Sequence, residues 1–291
     1  MTTATAPYEV LVEDIRELTR TDWLGFRRLG LGSSDAAPCM GLSAYKSAYS
    51  TFCDKRALVP EMPDREDLYW GRAVEPLIIA KWQADTNTEY VQRHVMLRST
   101  RYPFLQTNPD GLVPSEGLYL EAKFRHPADW PRWDIGVPDD VTLQVMHGLV
   151  VTGYRMGLVL ALFHNRLAVF EIPYDPEVAE PLVESERLFW ERVQNNDAPE
   201  PDHSEATTAA LRERYYEVAD GSCVNLPPEA AGWLETRQAC LNLMIDPERS
   251  VKQIKNLFRE ALGDNEIGLI DGEPVVSWKA RKDGVRVLTF T

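Results

Sequence analysis

The chain has 291 residues, enough for one large domain or two smaller ones at about 150 residues each. Hydrophobic residues make up 44% and charged residues 26%, which excludes a disordered chain and permits a sizeable core. The net charge of −14 argues against a uniformly basic, nucleic-acid-binding surface. It is unevenly spread, however: residues 175–250 hold 6 basic and 17 acidic side chains, a net of −11.

Residues 10–20 read as a short helix, and Trp23 to Arg28 lead into the Gly-rich segment Leu29-Gly30-Leu31-Gly32-Ser33-Ser34-Asp35. Ser33 or Ser34 is an N-cap candidate for a helix running toward Met40 and ended by Gly41. Helices are expected at about 48–58 and 66–85, the second with Pro76 as a kink. The period then changes to alternation. Strands are expected at 91–99, 111–113 and 118–124, with a turn over 114–117. A helix over 141–151 closes at Gly153, and 155–163 with 167–172 form a hairpin. Asp175 caps a helix reaching about Val193, with Pro176 in its first position. Asn195 to Pro201 is the clearest linker. Helices follow at about 204–219 and 228–245, and a third is capped by Ser250 and ended by Gly263. Asp271-Gly272 and Asp283-Gly284 join three short strands. The expected fold class is α/β (α+β), a mixed sheet flanked by helices over residues 1–195. Residues 196–291 are expected to form a helical and β-meander appendage.

Met1 to Pro7 lacks the basic and apolar regions of a signal peptide, and the apolar run Gly157 to Phe163 is too short to span a bilayer. Cys39, Cys53, Cys223 and Cys240 form no C-x-x-C pair, so reduced thiols are expected rather than zinc or an iron–sulfur cluster. A cytoplasmic protein without membrane attachment is the resulting expectation.

Within Leu118-Tyr119-Leu120-Glu121-Ala122-Lys123-Phe124, alternation puts Leu118, Leu120, Ala122 and Phe124 on one face and Tyr119, Glu121 and Lys123 on the other. The preceding turn can return the chain so that Asp110 lies beside Glu121. Two such carboxylates are hard oxygen ligands for Mg²⁺. A lysine one pleat along can orient or deprotonate an attacking water and offset charge developing at phosphorus. Taken singly, Glu-x-Lys is most often an exposed ion pair and Asp110 a turn residue. Upstream, a helix start at Ser34, with Arg27 and Arg28 nearby, can receive an anion or be an ordinary cap. His126, His147 and His164 are not needed by Mg²⁺, and Trp130 and Trp133 are expected to pack a loop. Lys279, Arg281, Lys282 and Arg286 make a basic tail hairpin, either a DNA contact or a protected edge.

Asp110, ten residues and then Glu121-x-Lys123 resemble the PD-(D/E)XK nuclease signature. Four stretches together resemble the YqaJ-type viral recombinase family, relatives of phage lambda exonuclease. They are Arg27-Arg28 with Ser33-Ser34-Asp35; Gly71 to Pro76; Asn108 to Gly111 with Glu121 and Lys123; and Leu143 to His147 before Val151-Thr152-Gly153. The resemblance covers about residues 23–172, and more weakly the tail from Gly263 to Phe290. It implies Asp110, Glu121, the Ala122 main-chain carbonyl and Glu75 as metal ligands, Lys123 as the catalytic lysine and Gln144 near the scissile phosphate. A second glutamine common in the family is replaced by Met146. Arg27 with Ser34, or the adjacent Arg28 and Ser33, would grip a DNA 5′-phosphate.

The same resemblance implies a Mg²⁺-dependent 5′→3′ double-strand DNA exonuclease of phage-type recombination, with Mn²⁺ as substitute and two ions per site. It would act on DNA ends as a ring-shaped trimer in the bacterial host cytoplasm, alongside a single-strand annealing protein. The alternatives are a restriction-like or RecB-like endonuclease and a non-catalytic DNA-end-binding scaffold. Retention of Glu75, Asp110, Glu121, Lys123 and Gln144 together argues against the scaffold.

Overall fold

A computed structural model describes residues 6–61, 65–217, 220–243, 247–282 and 284–291. Its strands are β1 (Tyr8–Val12), β2 (Met96–Ser99), β3 (Gln106–Thr107), β4 (Gly111–Val113), β5 (Leu118–Arg125), β6 (Met156–Phe163), β7 (Arg166–Pro173), β8 (Cys223–Asn225), β9 (Ile267–Ile270), β10 (Glu273–Ala280) and β11 (Arg286–Phe290). Its helices are α1 (Arg20–Arg27), α2 (Ala36–Cys39), α3 (Ala48–Lys55), α4 (Glu66–Thr86), α5 (Trp130–Ile135), α6 (Asp139–Thr152), α7 (Pro176–Asn195), α8 (Glu205–Arg214), α9 (Ala230–Leu243) and α10 (Pro247–Leu262). No helix among the described residues is long and apolar enough to cross a membrane.

The chain divides into two compact units, residues 1–43 with 62–195, and residues 44–61 with 196–291. Residues 44–61, expected in the nuclease core, therefore belong to the second unit. The reason is a buried interface within that unit. Tyr49 and Phe52 are buried, the Thr207 hydroxyl donates to Ser47 Oγ at 2.7 Å, and Arg214 donates to the Tyr49 hydroxyl at 2.5 Å.

The first unit is a mixed α/β layer structure. Its main sheet has the order β4-β5-β6-β7, and β5 runs parallel to β6 over eight register pairs, Leu118–Met156 to Arg125–Phe163. The parallel step needs a crossover, which α6 supplies after α5. Alternation along β5 divides its faces as the pattern requires. Leu120 packs with Leu158, Leu160 and Ile78, Ile79 and Trp82 of α4, while Tyr119 and Glu121 turn toward α6. Pro76 lies inside α4 without dividing it, because a proline removes a single ladder bond while the flanking apolar face stays anchored. Trp133 of α5 is buried against Phe163 and Phe170, with Trp130 edge-on to Phe163, as packing residues should be.

A second sheet, β1-β2-β3, corrects two expectations. Residues 10–20 are not one helix: β1 pairs antiparallel with β2, Glu9 opposite Arg98, and only a single 3₁₀ turn follows at Ile15–Glu17. That pairing is tertiary and overrides local propensity. The strand expected over 91–99 is cut to Met96–Ser99, since His94 adopts φ +64° and cannot continue an extended ladder.

In the second unit, β8 pairs parallel with β9, and β9, β10 and β11 form the expected meander, with Asp271-Gly272 at φ +51° and +83° making one turn. Asp283 of the other expected turn lies outside the described residues. Helix α10 begins at Pro247, so Ser250 is an interior residue rather than the cap. Its apolar face, Ile254, Phe258 and Leu262, packs with Val276 and Trp278 of β10. Arg286 is not an exposed tail cation: it is buried and donates to the carbonyls of Tyr215, Gly263, Asn265 and Trp278.

Helix α6 approaches β5 so closely that position 148 tolerates no side chain. A Cβ there would stand 2.3 Å from two ring carbons of the buried Tyr119. We expect Gly148→Ala to destabilise the fold by about 1–3 kcal/mol through overpacking, read as a lower urea midpoint at unchanged slope. An unchanged midpoint would show that Tyr119 can move.

Candidate active site

The acidic end of the β4–β5 pair assembles the candidate site. Pro109-Asp110 immediately precedes β4, whose Gly111 lies opposite Leu120. Continued by one residue, this register brings Asp110 level with Glu121, and the Asp110 side chain reaches one residue further, its Oδ2 accepting the Ala122 N–H at 2.7 Å. The N–H and C=O of one strand residue leave on the same side, so the Ala122 carbonyl also points toward the Asp110 edge.

Across the pleat, Glu121 and Lys123 meet Gln144 of α6. Lys123 Nζ donates to Glu121 Oε1 at 2.7 Å and to Gln144 Oε1 at 2.9 Å, while Gln144 Nε2 donates to Glu121 Oε1 at 2.6 Å. Glu121 is only 3% exposed, so the pair is not the solvated one that an isolated Glu-x-Lys suggests. Met146, two residues beyond Gln144, is buried in the core and adds no polar contact, because i and i+2 on a helix face different sides.

Glu75 on α4 completes the group, with a partner the sequence did not indicate. Arg93 donates from Nη2 to Glu75 Oε1 at 2.9 Å and from Nε to the Asp110 carbonyl at 3.0 Å. Arg93 sits in the irregular stretch before β2, where the sequence suggests only a strand position and no motif marks it. Only the question of which cation balances a half-buried Glu75 would have singled it out.

Burial, then Glu121 and Glu75, push the Asp110 carboxyl well above the usual carboxylate range. Burial also raises Glu75, against the lowering effect of Arg93. The site thus concentrates negative charge that its own cations do not fully neutralise. Among the described residues no three His, Cys, Asp or Glu side chains form a ready-made metal cluster. Asp110, Glu121 and the Ala122 carbonyl would offer a cation two carboxylates and one carbonyl oxygen, all hard oxygen donors. That suits a hard divalent cation such as Mg²⁺, which retains several waters. Glu75, held by Arg93, stands at the margin of this set.

The Gly-rich segment is pinned beside β3: Leu31 N–H donates to the Phe104 carbonyl and Gln106 N–H to the Leu31 carbonyl, at 2.7 and 2.8 Å. A Cβ at Gly30 would meet the Phe104 carbonyl oxygen at 2.7 Å, which explains a glycine there. The expected Ser cap is replaced by Gly32, whose N–H donates to Asp35 Oδ2 at 3.0 Å. Ser33 is buried and hydrogen-bonded to Thr107 Oγ1 at 2.7 Å, whereas Ser34 is exposed. Arg27 stacks near Trp23 and lies 3.5 Å from Asp35, and Arg28 is half-buried beside it. The next helix, α2, has four residues, too few for a strong dipole. Any anion here would rest on the two arginines and the Ser34 hydroxyl, with Asp35 opposing it.

This loop hangs from a buried polar chain that sequence reasoning also missed. Gln106 Nε2 donates to the carbonyls of Phe26 and Arg27 at 3.1 and 2.9 Å. Its own carbonyl lies 2.9 Å from His147 Nε2, and His147 Nδ1 is 2.6 Å from Glu186. Burial opposes charging of His147, but Glu186 and the Gln106 carbonyl outweigh it and raise its pKa. His147 is therefore a structural bridge between the Gln106 carbonyl and Glu186. Exposed His126 caps the turn at Ala128.

Residues 22–155 match the model of the YqaJ-like viral recombinase domain. The chain is 27% identical over 277 residues to the uncharacterized protein YqaJ of Bacillus subtilis (strain 168), covering 93% of this chain and 86% of that protein. Among solved structures, an alkaline exonuclease (LHK-Exo) from Laribacter hongkongensis is similar in fold at 16% identity and a TM-score of 0.51. That match covers 61% of this chain and 94% of the other. The same enzyme in complex with dAMP gives a TM-score of 0.52 at equal identity and coverage.

A carboxyl raised in the folded state stabilises the fold when protonated, and this stability is lost as pH rises from its unfolded pKa through its folded one. Asp110→Asn mimics the protonated form and keeps an acceptor for Ala122 N–H. In EDTA at about pH 8 we expect it to melt about 2–4 °C above the wild type. The gain should vanish below about pH 4, where both forms of Asp110 are neutral. Melting curves across this range, with equal gains at both ends, would contradict the raised pKa.

Proposed function

From a chain that carries a YqaJ-like viral recombinase domain, we propose a Mg²⁺-dependent DNA exonuclease that degrades duplex ends 5′→3′ in phage-type recombination. The single observation that carries the reading is the meeting of Asp110, Glu121, Lys123 and Gln144 at one strand end, with Glu75 beside them through Arg93. The alkaline exonuclease name of the L. hongkongensis fold relative, and the dAMP bound to it, agree with this choice.

Asp110, Glu121 and the Ala122 carbonyl would hold the cation, with Glu75 as ligand to its water or to a second ion. Bound Mg²⁺, or Mn²⁺ in its place, supplies Lewis-acid activation of water and charge neutralisation at the phosphodiester. Lys123 is held by Glu121 and Gln144, so its ammonium is oriented before substrate arrives. There it can steer the attacking water and offset charge growing on the phosphate oxygens. Gln144 fixes the Glu121 carboxylate and lies at hydrogen-bond reach of the same space. Arg27, Arg28 and Ser34, with Ser33 anchoring the loop, would receive the terminal 5′-phosphate. The same proposal includes a ring-shaped homotrimer, a single-strand annealing partner and action in the bacterial host cytoplasm.

On end-labelled linear duplex with Mg²⁺, Lys123→Ala should fold normally and lose at least about a hundredfold in rate. A covalently closed circle should stay intact. Undiminished digestion by the variant would remove Lys123 from the chemistry, and cutting of the circle would favour an endonuclease.

A further inference from the structure

Within the second unit, α8 and α10 face each other across a groove of about 310 Å³. Three- and four-residue spacing brings Arg212 of α8 and Lys252, Lys255 and Arg259 of α10 to this groove. Two acids, Glu205 and Glu248, also line it, and both belong to the first turns of their helices. Glu205 is already taken in an ion pair with Lys252. Cations remain in excess.

Arg259 is the centre of the groove. It is 7% exposed, its Nε is buried without a hydrogen-bond partner, and no carboxylate lies within ion-pair reach of it among the described residues. Its Nη1 donates to Asn256 Oδ1 at 2.7 Å. Asn256 is itself fixed, since Thr208 Oγ1 donates to the same oxygen at 2.9 Å and Asn256 Nδ2 donates to the Asp202 carbonyl at 2.6 Å. The guanidinium is therefore buried, oriented and only partly balanced, by Glu205 across the groove. A protein keeps such a group only at a cost, and an oxyanion offers the missing partner, with the planar fork matching two phosphate oxygens. Electrostatics agree. Burial and Arg212 hold Arg259 down to about 10, with Glu205 only partly offsetting them, and burial with Arg237 and Arg259 lowers Lys255.

We infer that Arg259, Lys255 and Arg212 form a binding site for a phosphate-class oxyanion, separate from the catalytic carboxylates. The site stands on this geometry alone; taking a DNA backbone phosphate as its occupant rests on the nuclease proposal. The alternative source is free inorganic phosphate.

The test uses the full chain in EDTA, as wild type and as the Arg212→Ala/Lys255→Ala double variant. Because these cations repel Arg259, the variant should melt no lower than wild type in phosphate-free buffer. Inorganic phosphate, against chloride at matched ionic strength, should raise the wild-type melting temperature and leave the variant unmoved. In fluorescence anisotropy with a labelled duplex, the variant should bind about tenfold more weakly. Its log-affinity slope against log salt should fall by about 0.9 for each lost contact. Loss of both responses supports a DNA phosphate as occupant. Loss of the phosphate response with unchanged DNA affinity and slope supports free phosphate. A variant that answers phosphate and DNA as the wild type does overturns the site. Failure of the wild type to digest DNA with Mg²⁺ would sink the nuclease proposal and leave the phosphate response standing.

Discussion

Like charge held close together out of water is the constraint on which the first unit depends. Asp110, Glu121 and Glu75 repel one another where solvent screens them only in part, and each is held by a specific partner. The partners come from different elements: Ala122 N–H from β5, Lys123 and Gln144 from β5 and α6, and Arg93 from the loop before β2. The long parallel pairing of β5 with β6 makes this possible, since it fixes the strand that carries three of the groups in a register it cannot slip. Arrangements of this kind trade stability for a site ready to receive positive charge.

Most of this was legible in the sequence because it is local. Alternation along 118–124 separates Glu121 and Lys123 from the apolar face in any sheet, and one turn returns Asp110 to Glu121. Apolar spacing similarly marks α4 and α6, and with them Glu75 and Gln144. What escaped is what depends on distant pairing. Strand β1 exists through β2, and the 91–99 stretch fails as one strand at the positive φ of His94. Arg93 falls in a stretch whose alternation suggests only an ordinary strand, and Gly32 displaces two serines as the cap because the Asp35 carboxylate reaches back to its N–H. Tertiary geometry decides these cases, and no window of neighbouring residues contains it.

Charge distribution also looks different in three dimensions. The acidic segment 175–250 is shared between the two units, with α7 in the first and α8 and α9 in the second. Some of its acids serve internal structure: Glu186 balances buried His147, and Glu184 and Glu191 pair with Arg187. Inside the same stretch Arg212 helps to line a cationic groove. A net of −11 along the chain thus says little about the field at any one surface, because burial and pairing remove charges from it selectively.

The second unit is discontinuous in sequence, its first strip separated from the remainder by the whole span 62–195. This imposes an order on synthesis. As the chain leaves the ribosome, the aromatic face of α3, with Tyr49 and Phe52, emerges long before the helices that cover it, α8 and α10. The intervening span can fold meanwhile, but residues 44–61 must wait for the C-terminal third, and their contacts close a very long loop. Until then that strip is an apolar segment exposed on a nascent chain, the kind of surface on which holding chaperones and misassembly compete.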